Sequence, residues 1–168
     1  DFFAHMKEIR SIIGIDRPLH IQVTAPDTEG MLGDADTLLT KIDPEVYVKV
    51  PVTMEGIKAI KQMKSRGIHV TGTAIYGKQQ GFLAMEAGAD YIAPYFNRME
   101  NMGLDSDDVI ASLADMIDLY HYDTQILAAS FKNAGQIDRA FLAGGAHGYH
   151  GSSHPQGMSS PSLISPML

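Results

Sequence analysis

Lys49 stands in the middle of Val46-Tyr47-Val48-Lys49-Val50-Pro51-Val52, a short apolar run rich in β-branched residues. Such a run reads as a buried strand of a parallel sheet. Burying an ammonium without a partner is costly, and desolvation favours the neutral amine. A neutral amine near pH 7 attacks carbonyls, which is the first step of Schiff-base chemistry. The competing reading is structural: the lysine snorkels to the strand end or meets a carboxylate. Four more polar residues, Gln22, Thr73, Tyr95 and Ser130, fall in the middle or near the C-terminal end of four other strand-like segments. Barrel enzymes draw their catalytic residues from that end of several strands. Buried polar residues in strands also serve as internal hydrogen-bond partners, so residue types alone leave both readings open.

The elements that must position these residues alternate along the chain. Residues 2–13 carry a helical stripe of Phe2, Phe3, Met6, Ile9, Ile12 and Ile13, and 19–23 read as a strand. Residues 28–42 read as a helix capped by Asp27 or Thr28, and 46–52 form the lysine strand. Thr53 caps a helix bearing Ile57, Ile60 and Met63 that stops at Gly67. Strands follow at 69–76, 91–96 and 124–130, and helices at 79–87, 107–120 (capped by Ser106) and 135–143. This βαβα order implies a parallel sheet covered by helices, either a barrel or a doubly wound open sheet. No Gly-rich phosphate fingerprint is present, which disfavours the nucleotide-binding open sheet. Alternation supplies a further check. With Lys49 turned inward, Tyr47 and Pro51 share its face while Val46, Val48 and Val50 face the helices; Gln22 inward sends Ile21 and Val23 outward; Tyr95 inward brings Tyr91 and Ala93 with it.

Composition narrows the function classes. The chain has 168 residues, 45% hydrophobic and 20% charged, with net charge -7 and pI ≈ 5.4. These values fit one soluble globular domain, and the acidic balance argues against non-specific nucleic-acid binding. With no cysteine, disulfides, thiolate metal sites and a cysteine nucleophile are excluded. No apolar stretch approaches the ~20 residues of a membrane span. Cytoplasmic localisation is the expectation, although the chain starts at Asp1 and its natural N-terminus is in question. Lys58, Lys61 and Lys64 form a basic row that reads as a solvated helix face.

Four motifs, in order, carry a family resemblance. They are Val48-Lys49-Val50-Pro51-Val52-Thr53-x-Glu55-Gly56-x-Lys58-Ala59-Ile60, then Gly72-Thr73-Ala74-Ile75-Tyr76-Gly77, then Ala87-Gly88-Ala89-x-Tyr91-Ile92-Ala93-Pro94-Tyr95-Phe96-Asn97-Arg98, and Ile126-Leu127-Ala128-Ala129-Ser130-Phe131-Lys132. Over roughly residues 3 to 147 the chain resembles the small transaldolase / fructose-6-phosphate aldolase family of class I, Schiff-base enzymes. The resemblance implies a (β/α)8 TIM barrel of which this chain holds strands three to seven. It implies that Lys49 forms the Schiff base with a ketose or dihydroxyacetone unit. Tyr95 then matches the tyrosine that orients a proton-transferring water, and Gln22 and Thr73 the residues that hold that water. Arg98, Ser130 and Lys132 match the phosphate-binding group, a donor set suited to a phosphate dianion. On residue type alone Arg98 could be a surface ion-pair partner, Ser130 a strand-end cap and Tyr95 plain core.

Gln22 and Tyr95 resemble the aldolase members, which cleave fructose 6-phosphate to dihydroxyacetone and glyceraldehyde 3-phosphate. Classical transaldolases, which pass the three-carbon unit to another aldose phosphate, tend to carry an acidic residue and a phenylalanine there. A lysine aldolase for another substrate such as deoxyribose phosphate, and an inactive barrel piece that only assembles with other chains, are further alternatives. No metal or organic cofactor is expected, because the lysine is the electron sink. The family forms pentamers and decamers, so a homo-oligomer acting on a sugar phosphate is expected, with no nucleic acid or membrane partner.

The chain also departs from the family. A barrel needs eight strands. The family's first two, with an Asp and a Thr-Thr-Asn-Pro motif, are missing, and its eighth is not recognisable. Residues 1–147 are expected to form the partial barrel and 148–168 an atypical tail. Twelve of those last 21 residues are Gly, Ser or Pro, a disordered composition. Read one nucleotide later, codons for 148–156 can encode a run close to the expected strand, so a frameshift is one origin for the tail. His147, His150 and His154 invite a metal-site reading, which is disfavoured because a tail of disordered composition is not expected to supply the supporting partners a metal site needs.

Overall fold

The computed structural model of the chain describes residues 1–145. The expected tail 148–168, the last two residues of the expected barrel domain and His147, His150 and His154 lie outside the described residues. Helix α1 (Phe2–Ile13) leads into β1 (His20–Gln22), α2 (Thr28–Lys41), β2 (Tyr47–Pro51), α3 (Met54–Ser65), β3 (Val70–Ile75) and α4 (Lys78–Glu86). The chain continues through β4 (Tyr91–Pro94), α5 (Phe96–Asn101), α6 (Ser106–Tyr120), β5 (Gln125–Ile126) and α7 (Ala134–Gly145). All pairings are parallel, and the five strands lie in the order β1-β2-β3-β4-β5. Sequential order with a helix in every connection is the arrangement of consecutive barrel units; a doubly wound sheet reverses its order at a switch point. The fold is therefore α/β, a partial (β/α)8 TIM barrel.

The alternation expected of β2 is present. Val46, Val48 and Val50 are fully buried in the core with Ala35, Ile60 and Met63 from the covering helices. Tyr47, Lys49 and Pro51, on the opposite face, are half-buried. Burying a valine or isoleucine is worth roughly 1.5–3 kcal/mol. A one-residue slip would exchange the two faces, setting the lysine among the helices and the valines outside, so the register is strongly specified.

Helix starts follow side-chain chemistry. Asp27 accepts the Gly30 N–H at 2.9 Å and Thr53 the Gly56 N–H at 3.0 Å. At α6 the cap is Asp105, which accepts from the Asp108 N–H at 3.0 Å, not the expected Ser106. Ser106 is the first helical residue, fully buried, and its hydroxyl donates to the Phe96 carbonyl at 3.0 Å. Two expected strands are shorter in the structure. The one expected at 91–96 stops at Pro94, because Tyr95 caps α5. The one expected at 124–130 is assigned only at Gln125–Ile126, although Leu127 and Ala129 still donate to the Ile92 and Pro94 carbonyls at 2.8 and 2.9 Å. The left-handed Ser130 (φ 62°) ends that extended stretch. Lys64 is not a freely solvated row member: its ammonium bridges both oxygens of Asp90 at 2.7 and 2.8 Å. Among the described residues no helix is long and apolar enough to cross a membrane.

The turn after β1 hangs on one carboxylate. Asp34 accepts from the Thr24 N–H at 2.8 Å, the Ala25 N–H at 3.0 Å and the Thr24 hydroxyl at 3.2 Å. The Thr24 N–H leads in pulling its pKa below 3.8, with the Ala25 N–H and Thr24 hydroxyl adding and partial burial opposing. A depressed carboxyl pKa contributes stability that is present above the unfolded value and fades as pH falls through the native one. Asp34→Asn is therefore expected to lower the melting temperature at neutral pH, and the deficit to close in strong acid. Thermal melts from pH 7 to pH 2 check this; a deficit independent of pH refutes it.

Candidate active site

Strand register sets the first layer of the site. Gln22 pairs with Lys49, Lys49 with Thr71, Thr71 with Tyr91, and Tyr91 with Gln125, so one row across the sheet carries these side chains on the face away from the helices. Lys49 is half-buried there, and among the described residues no carboxylate lies within ion-pair distance of it. Burial lowers its pKa from 10.5, with no opposing charge to restore it. Of the two forms of the structural reading, snorkelling to the strand end and pairing with a carboxylate, the second is thereby removed. Gln22 lies beside it, exposed on the edge strand.

A cluster of rings lies below this row and reaches into it through Tyr91. His20 packs on Tyr47 at 4.9 Å and edge-on to Tyr91 at 5.0 Å, and Tyr47 stacks on His69 at 4.7 Å. His20 Nδ1 is 2.8 Å from the Thr71 hydroxyl. Burial first, and then the charge of Lys49, push its pKa down to about 4, so the imidazole is neutral at pH 7. His20 escaped the sequence reading, although it shares parity with Gln22 on the same short strand and alternation could have found it.

The next layer toward the strand ends holds Thr73 and Tyr95. Thr73 is fully buried and donates its hydroxyl to the Tyr95 phenol oxygen at 3.1 Å. The Tyr95 ring is packed edge-on by Tyr76 at 5.6 Å, and the Arg98 guanidinium lies 5.2 Å from its centroid. Ala74, next to Thr73, has φ 55°, and the β3–β4 register shifts between Gly72 and Ile75. This bulge leaves Thr73 on the site face and buries Ile75 in the core.

Beyond Tyr95 the ends of β4 and β5 are stitched together. The Phe96 N–H donates to the Ala129 carbonyl at 2.9 Å and the Asn97 N–H to the Ser130 carbonyl at 3.2 Å. Arg98, the third residue of α5, and Ser130 thus lie beside the adjoining ends of β4 and β5. Lys132, two residues on, has an exposed side chain, and its N–H donates to Gln136 at 2.7 Å. The structure places Lys49 and Gln22 in one row, bonds Thr73 to Tyr95, stacks Arg98 on Tyr95 and ties Ser130 to the start of the Arg98 helix. Among the described residues no group of three His, Asp or Glu is placed to hold a metal ion.

Two glutamines that support these loops were also missed. Gln80 accepts the Tyr76 N–H at 2.9 Å and donates to the Val52 and Ala74 carbonyls at 3.0 and 3.3 Å. Gln136 plays the equivalent part at α7. Each is the third residue of its helix, the capping-box position that reaches back to orphan N–H groups. That spacing was visible in Gly77-x-x-Gln80 and Asn133-x-x-Gln136.

Comparison with known proteins adds a separate line. The family model described as Transaldolase/Fructose-6-phosphate aldolase matches residues 2–147. A Streptococcus pneumoniae protein named "Probable fructose-6-phosphate aldolase" is 50% identical over 147 residues, 88% of this chain and 66% of that protein. Two proteins named "Probable transaldolase" are also similar. The one from a Chelativorans species is 38% identical over 77% of this chain and 59% of its own length. The one from Agathobacter rectalis is 36% identical over 86% and 66%. The chain thus spans just under two thirds of the length of the curated relatives it matches.

Proposed function

Because the chain belongs to the transaldolase/fructose-6-phosphate aldolase family, we propose that Lys49 is a Schiff-base nucleophile for a sugar phosphate. The reaction is the reversible cleavage of fructose 6-phosphate to dihydroxyacetone and glyceraldehyde 3-phosphate. The observation that carries this is the state of Lys49: half-buried, its pKa lowered by burial, on the face that also bears the Thr73–Tyr95 pair.

The neutral amine attacks the C2 carbonyl of the ketose, and loss of water leaves an iminium. The C4 hydroxyl gives up its proton and the C3–C4 bond breaks. Its electron pair moves into the iminium to give an enamine, and glyceraldehyde 3-phosphate departs. Protonation of C3 and hydrolysis then release dihydroxyacetone and restore the amine. Proton transfer at positioned groups contributes typically 10²–10⁴-fold. Tyr95, held by Thr73, is the group we assign to orient the water that carries the proton, with Gln22 as its second holder. Arg98, Ser130 and Lys132 are assigned to the phosphate. A transaldolase differs only at the enamine, which attacks a second aldose phosphate in place of taking a proton. Relatives of both names exist; Gln22 and Tyr95, the groups given to the proton, favour the aldolase.

Borohydride reduction in the presence of dihydroxyacetone tests the reading. A secondary-amine adduct on the peptide containing Lys49, located by mass spectrometry, is the expected result. A folded sample that yields no adduct, or one mapped to another lysine, overturns it.

A further inference from the structure

The side chain of Gln136 is 39 residues from Asn97 in sequence, yet it joins the helix and the loop that bear the charged residues of the upper site. Gln136 is 5% exposed. Its Oε1 accepts the Lys132 N–H at 2.7 Å. Its Nε2 donates to Asn97 Oδ1 at 3.0 Å and to a carboxylate oxygen of Glu100. Both amide protons and the oxygen are thus committed, and each partner fixes which end of the amide faces it. Asn97 and Glu100 flank Arg98 on α5, while Lys132 precedes α7. Arg139, one turn after Gln136, reinforces the same contact. It pairs with Glu100 at 2.5 Å and Asp107 at 2.6 Å, and its guanidinium lies 5.2 Å from the Phe96 ring.

We propose that Gln136 is the positioning residue for phosphate recognition, a latch that sets the spacing between α5, which bears Arg98, and the Ser130–Lys132 loop. This rests on the reading of Arg98, Ser130 and Lys132 as phosphate ligands. Arg98 and Lys132 are both exposed, and long exposed side chains converge on one anion only if their backbones are held at a fixed separation. Among the described residues, direct backbone contact between the two is the pair of bonds from the Phe96 N–H to the Ala129 carbonyl at 2.9 Å and from the Asn97 N–H to the Ser130 carbonyl at 3.2 Å, both on the strand side of the two cations. Gln136 closes the other side. Among the described residues the hydrogen bonds of Gln136 go to Lys132, Asn97 and Glu100 and none reaches the Lys49 row, so the latch acts on the phosphate end of the substrate and not on the amine.

The prediction is a split between two ligands. Dihydroxyacetone has no phosphate and fructose 6-phosphate has one; both trap on the same lysine. In Gln136→Leu the half-saturating concentration of fructose 6-phosphate for trapping is expected to rise about tenfold, the scale of losing well-placed hydrogen bonds. That of dihydroxyacetone should stay within about twofold. Asn97→Ala removes the latch from its more accessible side and should reproduce the split. Added to Gln136→Leu, it should give little further loss, because the Asn97 contact it removes is already lost with the Gln136 amide. Equal weakening for both ligands, or no change for either, overturns the proposal. An absence of dihydroxyacetone trapping in the unmodified protein overturns the Schiff-base reading instead, so the two failures are distinguishable.

Discussion

Lys49→Met is expected to abolish the borohydride-trapped adduct and to raise the melting temperature at pH 7. The two effects share one cause. Burial pulls the native pKa of Lys49 below 10.5. Between that native value and 10.5 the unfolded chain holds a proton that the native chain has lost, so stability rises with pH across the window. Below the native value the amine is charged in both states, and the folded protein carries the whole penalty of a desolvated ammonium. Methionine carries none at any pH, and its unbranched chain fits the same space. Its advantage is therefore largest below the native pKa and narrows as pH climbs toward 10.5. Melting curves at pH 7 and pH 10, with trapping on the same samples, read both effects. A structural lysine makes the opposite prediction, since removing one member of a buried pair destabilises. A variant that melts lower than the parent, or still traps dihydroxyacetone, removes Lys49 from its role. A residue that weakens the fold while supplying the chemistry is the expected trade at an active site.

How much of this was legible depended on where each partner lay. The lysine strand declared itself because its alternation is strong: three fully buried valines on one face leave little choice for the other. Helix α5 did not, because Phe96 directly extends the apolar run of β4, and such a run suits strand or helix equally. The turn is made by Tyr95, whose ψ of 88° departs from the strand without any glycine to announce it. At α6 two adjacent residues could each cap the helix. The choice fell to Asp105 because the Ser106 hydroxyl finds the Phe96 carbonyl, a tertiary partner that local spacing cannot show. The same limit hid the latch. Its capping position is local, but its donors reach Asn97 and Glu100, which only the fold brings near. His20 lay between these cases, since its parity was readable but its ring partners Tyr47 and Tyr91 come from two other strands.

The same dependence on tertiary contact makes glycine substitutions in two neighbouring helices act in opposite directions. In a helix interior Gly→Ala ordinarily stabilises by roughly 0.5–1 kcal/mol, by restricting the unfolded chain. Gly33, exposed in α2, has nothing within 4 Å of a new Cβ, and Gly33→Ala is expected to follow that rule. Gly56, buried in the first turn of α3, is expected to break it. A Cβ there would lie 1.8 Å from the Pro51 carbonyl oxygen and 3.0 Å from its carbon. The obstacle is backbone, so no rotamer change relieves it, and the carbonyl is already held by the Thr53 N–H at 2.8 Å. Either α3 must retreat from the sheet, breaking the Thr53 cap, or the end of β2 must move. A loss on the order of 3 kcal/mol follows, the upper range for overpacking. Pro51 is two residues from Lys49 on the same strand face, so whatever relieves the clash also displaces the amine from its row. Gly56→Ala is thus expected to lower both denaturant midpoint and trapping yield per folded molecule, while Gly33→Ala raises the midpoint and leaves trapping unchanged. If Gly56→Ala proves as stable as Gly33→Ala, the close approach of α3 to the lysine strand is wrong, and with it the placement of Lys49 beneath the strand ends.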